Sequence, residues 1–107
     1  MLFRSLAGKP GDAAACFRRA TEIKPDFAEA HHNLAHCLLR QGDQTGAIEA
    51  FRAALSCKPN YAEAHLDLAE VLAKQGQSAE ARVHLRYAAD LNPADPRPKK
   101  LLEQMTR

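Results

Sequence analysis

Residues 26–59 read DFAEAHHNLAHCLLRQGDQTGAIEAFRAALSCKP, and residues 60–93 follow as NYAEAHLDLAEVLAKQGQSAEARVHLRYAADLNP. Set one beneath the other, the two lines keep a single register. Ala28-Glu29-Ala30-His31 returns as Ala62-Glu63-Ala64-His65, and Pro25, Pro59 and Pro93 stand 34 residues apart. Gly8, Gly42 and Gly76 share that spacing, as do Ala13, Ala47 and Ala81, then Ala20, Ala54 and Ala88. Phe17, Phe51 and Leu85 form a bulky series at the same period. Five series in one register mark an array of identical supersecondary units rather than one irregular fold.

Each unit reads as two helices. Across residues 26–40, Phe27, Ala30, His31, Leu34, Ala35 and Leu38 recur at steps of three and four, the period of an amphipathic helix. Asp26 is placed to cap that helix with Glu29 reaching back, and Asn60 with Glu63 repeats the arrangement. Arg40 and Lys74 fall in the last turns, where a cation suits the helix dipole. Gly42 and Gly76 follow, where a left-handed residue ends a helix without steric cost. A second helix is predicted over residues 44–57, with a counterpart over 78–91, stopped by Pro59 and Pro93. Ala47, Ile48, Phe51, Ala54 and Leu55 make its apolar stripe. The small Ala35, Ala47 and Ala54 allow close helix approach, and Phe51 and Leu34 fill the remaining space.

This unit resembles the tetratricopeptide repeat, whose pattern is W-x2-L-G-x2-Y, then A-x3-F, then P. Leu34, Ala47, Phe51 and Pro59 meet it in the first full unit, with His31, Ala35 and Leu38 as substitutes. Leu68, Ala81 and Pro93 meet it in the second, with His65, Ala69, Leu72 and Leu85 substituting. The resemblance implies an all-α, right-handed solenoid of helical hairpins with a C-terminal cap helix. It divides one domain, 1–107, into a partial repeat (1–25), repeats at 26–59 and 60–93, and a cap at 94–107. Residues 1–7 read as the tail of a first helix and about 11–23 as a whole second helix. The half-helix would expose Leu2, Phe3 and Leu6, which suggests a fragment of a longer array or self-association at that end. Asp95 and Pro96 open a last helix, about 96–106, that would bury Leu101, Leu102 and Met105 and show Lys99, Lys100, Glu103 and Gln104 to water.

The resemblance also places function. The first helix of each unit lines a concave face that in this family receives a peptide or a partner's helix. By the repeat register the facing residues are Glu29, His32, Asn33, His36 and Arg40, then Glu63, Leu66, Asp67, Glu70 and Lys74, then Arg97, Lys100, Leu101 and Gln104. A clamp for a C-terminal carboxylate, used by one subgroup, is disfavoured because Glu63 and Asp67 would repel such a ligand. The asparagine ladder of serine/threonine glycosyltransferases is matched by Asn33, but Asp67 departs from it one unit on. The acids Glu63, Asp67 and Glu70 suggest instead a basic or neutral peptide.

Composition narrows the remaining classes. Fifteen basic residues oppose thirteen acidic ones in 107, for a formal charge of +2, so nothing draws the chain to nucleic acid or an acidic membrane. The basic tail of Arg97, Lys99, Lys100 and Arg107 lacks interleaved aromatic residues and reads as a solvated cap. No apolar run approaches the about 20 residues that span a bilayer. Cys16, Cys37 and Cys57 are odd in number and form no C-x-x-C pair, which favours a reducing, cytoplasmic compartment and small buried hydrophobes. His32 and His36 stand four apart, a metal-compatible spacing that Glu63 or Asp67 could complete, but no further His or Cys spacing supports a site. No nucleophile elbow, phosphate loop or H-E-x-x-H is present, so no enzyme and no cofactor are expected. The expected function is a protein-interaction scaffold. The alternatives are a regulatory or substrate-recruiting piece of a larger enzyme such as a glycosyltransferase, and a self-assembly module working through the N-terminal face.

Overall fold

The computed structural model describes residues 10–106. Expectations for residues 1–7, including the face of Leu2, Phe3 and Leu6, lie outside the described residues, as do Gly8 and Arg107. Among the described residues the structure is helical with no strand: α1 (Pro10–Ile23), α2 (Ala28–Arg40), α3 (Gln44–Cys57), α4 (Ala62–Lys74), α5 (Ser78–Leu91) and α6 (Arg97–Met105). None of these helices is long and apolar enough to cross a membrane. The chain forms two compact units, residues 1–59 and 60–107.

In the first unit, α2 packs on α3 and α1 packs on α2. Its core is Ala30, Leu34, Ala35 and Leu38 from α2 against Ala47, Ala50, Phe51 and Ala54 from α3. Phe51 is fully buried, and the alanines around it bring the helix axes close enough for its ring to fill the gap. In the second unit, α4 packs on α5 and α5 on α6. The same repeat positions are buried there: Ala64, Leu68, Ala69 and Leu72 from α4, with Ala81, Leu85 and Ala88 from α5.

The helix ends obey the repeat too. Gly42 and Gly76 adopt φ of +84° and +81°. At each, two backbone bonds close the turn that ends the first helix. Gly42 N–H donates to Leu39 O (3.0 Å) and Asp43 N–H to Leu38 O (2.8 Å); Gly76 donates to Ala73 O (3.1 Å) and Gln77 to Leu72 O (2.9 Å). The second helices end two residues before each proline. Lys24, Lys58 and Asn92 each donate to the carbonyl four residues back, on Ala20, Ala54 and Ala88, at 2.9 to 3.0 Å.

Several expectations are corrected. Asp26 and Asn60 do not cap. α2 and α4 begin at Ala28 and Ala62, their N-cap residues are Phe27 and Tyr61, and neither receives a side-chain cap. In the first unit a tight turn, Phe27 N–H to Lys24 O at 3.1 Å, encloses Asp26 and leaves it one residue before the capping position. Phe27 is consequently more than one third exposed rather than core. Cys16 is exposed; Cys37 is buried and Cys57 half-buried, and all three are free thiols. In α6 it is Pro98 that is fully buried, whereas Leu101, Leu102 and Met105 are only half-buried. Lys99, Lys100, Glu103 and Gln104 are exposed as expected of a cap helix.

Candidate functional site

The second unit brings two first-helix faces together. On α4, Leu66, Glu70, Ala73 and Lys74 lie at i, i+4, i+7 and i+8, one stripe of a helix. On α6, Arg97, Lys100, Leu101 and Gln104 lie at i, i+3, i+4 and i+7. These eight side chains line a pocket of about 430 Å³, within the size range of sites that hold a ligand group. Leu66, 2% exposed, forms its apolar floor with Ala73 and Leu101. Glu70, Lys74, Lys100 and Gln104 are exposed around it. Seven of the eight follow from the repeat register; Ala73 does not, because a small residue beside the core stripe carries no polar signal.

Glu63 and Asp67 do not line this pocket. Glu63, exposed, accepts a hydrogen bond from Arg97 Nη2 at 2.6 Å, so a cation already offsets its charge. The same guanidinium holds Asp95, with Nη2 to Oδ2 at 2.8 Å and Nε to Oδ1 at 3.0 Å. Asp95 Oδ1 also accepts the Arg97 backbone N–H at 3.0 Å, which satisfies a donor of the first turn of α6 from two residues before the helix. Hydrogen bonds from Arg97 hold the Asp95 carboxyl below the usual carboxylate range, and the two acids raise the Arg97 pKa. Arg97 therefore ties the start of α6 to the first turn of α4 while its stem borders the pocket.

In the first unit, Glu29, Asn33, His36 and Arg40 of α2 are exposed and His32 is half-buried. The two histidines pack on each other and on the core. The His32 and His36 rings meet edge-on at 4.7 Å, and both lie against Phe51, at 5.7 and 5.6 Å between centroids. Their four-residue spacing thus covers the rim of the core. His31 donates from Nε2 to the Pro25 carbonyl at 2.9 Å, and the Cys57 thiol reaches the same oxygen at 3.4 Å. One carbonyl thereby joins the turn before α2 to the end of α3. Burial pushes the Cys37 thiol pKa up, against a smaller opposing effect of the Arg40 charge.

His65, the repeat counterpart of His31, has a different partner. It is 6% exposed and shares an Nδ1 to Nδ1 hydrogen bond of 2.9 Å with His84. Glu80 accepts from His84 Nε2 at 3.4 Å, and Tyr87 stacks on His65 at 5.2 Å. The repeat register assigned His65 to packing and did not foresee its hydrogen bond to His84 or the contact of His84 with Glu80. The four-residue spacing of Glu80 and His84 was the available signal for that contact.

Family models described as tetratricopeptide repeat match residues 7–62 and 38–105. No curated protein sequence matches. Among solved structures, one of MamA is similar at a TM-score of 0.81 and 23% identity, over 86% of this chain and 54% of that one. A second MamA structure gives 0.80 and 23%, over 86% and 50%. The first TPR of Spaghetti (RPAP3), bound to the HSP90 peptide SRMEEVD, gives 0.88 and 16%, over 98% and 84%. This chain spans about half the length of the MamA chains it matches. Identities this low speak for the fold alone, but each family model covers more than half the chain. By its sequence and by its helical hairpins, the chain belongs to the tetratricopeptide repeat family.

Proposed function

We propose that the chain is a protein-interaction scaffold that holds a peptide or a partner's helix against the exposed faces of its first helices, α2, α4 and α6, and does no chemistry of its own. The pocket between α4 and α6 carries this reading: an apolar floor under a charged rim. The Spaghetti domain solved with an HSP90 peptide supports it by showing that a chain of similar fold holds a peptide. Rigid helices present the face ready-made, which lowers the ordering cost of binding a flexible segment. In this reading the repeats at 26–59 and 60–93, with the flanking 1–25 and the cap at 94–107, act as one scaffold in the cytoplasm. Glu29, His32, Asn33, His36, Arg40, Glu63, Asp67, Glu70 and Lys74 are the first-helix side chains offered to the partner.

Photo-crosslinking tests the reading. A benzophenone side chain is placed in turn at Asn33, Lys74 and Arg86, all exposed. Protein adducts are expected from the first two positions and not from Arg86 on the second helix of its hairpin. Adducts from Arg86 alone, or from none of the three, would falsify the scaffold reading as stated.

A further inference from the structure

The α4–α6 pocket has a chemical bias that the acidic stretch of α4 conceals. Arg97 occupies the repeat position of Glu63, Leu101 that of Asp67 and Gln104 that of Glu70, each 34 residues on. Of these three equivalent positions, one reverses its charge and the other two lose theirs.

Glu63 is turned to Arg97 and drops out of the pocket's charge balance. With the Arg97 charge offset by Glu63 and Asp95, the lining holds two cations, Lys74 and Lys100, against one carboxylate, Glu70. Lys74 and Lys100 are exposed, and among the described residues neither has an ion-pair partner. Between them the floor of Leu66, Ala73 and Leu101 is apolar. An occupant complementary to this arrangement presents an apolar side chain to the floor and carboxylates to the rim. A basic segment would bring its charge against both lysines with only Glu70 to receive it.

We propose that this pocket receives an aliphatic or aromatic side chain from an acidic segment of a partner protein, whose carboxylates lie against Lys74 and Lys100. The proposal rests on the scaffold reading and specifies the partner chemistry of one part of it, in place of the basic or neutral peptide that the acids of α4 suggest.

The test is selection from a phage-displayed library of random peptides on the 107-residue chain and on the Lys74→Glu/Lys100→Glu variant. Both substitutions are at exposed positions, and equal thermal melting by circular dichroism confirms that the two proteins are comparably folded. The wild type is expected to enrich peptides in which Asp or Glu flanks Leu, Ile, Phe or Met. A synthetic peptide of the most enriched sequence should bind the charge-reversed variant at least about tenfold more weakly and lose affinity as salt is raised. Enrichment of Lys- or Arg-rich peptides, or of acidic peptides that bind both proteins equally, overturns the inference and leaves the scaffold reading standing. A library from which neither protein enriches any peptide, together with no crosslink from Asn33 or Lys74, removes both.

Discussion

The three cysteines show how far a residue's setting departs from its local sequence. Each lies among apolar helical neighbours, yet Cys16 is exposed, Cys37 buried and Cys57 half-buried with its thiol on the Pro25 carbonyl. Burial raises the Cys37 pKa, which lowers its thiolate fraction at neutral pH, and the same burial blocks access. Brief iodoacetamide treatment near neutral pH should therefore alkylate Cys16 first and leave Cys37 unmodified until denaturant is added, as read by peptide mass mapping. Modification of Cys37 at the rate of Cys16 would contradict its placement. The histidines make the same point. His31 and His65 are repeat equivalents, but one bonds a carbonyl and the other a second histidine, because the residue 19 positions after His65 is His84 while its counterpart after His31 is Ala50.

At the scale of the element, termination is more strongly specified than initiation. Gly42 has open space around its α-carbon, so Gly42→Ala meets no clash, only the cost of a left-handed backbone. That cost should be about 1 kcal/mol, seen as a lower denaturation midpoint at unchanged slope. Gly46 is different. A β-carbon there would crowd the Asp43 carboxylate, whose Oδ1 accepts the Gly46 N–H at 2.9 Å and caps α3. Gly46→Ala trades a cap worth about 1 kcal/mol for a helix-propensity gain of similar size, so its net effect should be close to zero. Equal losses at the two glycines would refute this distinction. The start of α6 adds a pH-dependent contact. Because Arg97 holds the Asp95 carboxyl below its usual range, the contact stabilises above about pH 4 and fades as pH falls through the lowered value. The melting temperature of Asp95→Asn should lie below that of the wild type near pH 7 and converge with it in strong acid. A gap that widens on acidification would reverse the sign assigned here.

Across the whole molecule, the repeat distributes the core evenly. Phe51 and Leu85 occupy the same position in their units and are both fully buried. Phe51→Ala should cost about 3–5 kcal/mol and Leu85→Ala about 2–5 kcal/mol, each a large share of the stability of a small protein. In repeat arrays each element rests on its neighbours, so the damage should stay local. Amide exchange is expected to accelerate in α2 and α3 for the first variant and in α4 to α6 for the second. Uniform acceleration from either substitution would show that the helices open together.

The 34-residue period in proline, glycine, alanine and the bulky Phe17, Phe51 and Leu85, with the three- and four-residue spacing of apolar residues, determined the two-helix unit, the ends of the second helices, the left-handed glycines and the buried stripes. These features depend on backbone sterics and on helical periodicity, which act over a few residues and leave a regular trace. Seven of the eight pocket-lining residues were legible for the same reason. What the tertiary structure decided are relations between side chains distant in sequence. Arg97 reaches back to Glu63 and cancels an acid that local reading assigned to the binding face. His84 meets His65, His32 and His36 close over Phe51, and Pro98 rather than Leu101 anchors the cap helix. Such pairings depend on where helices cross, and in a structure of repeated hairpins the crossing places a side chain against partners that no local spacing names.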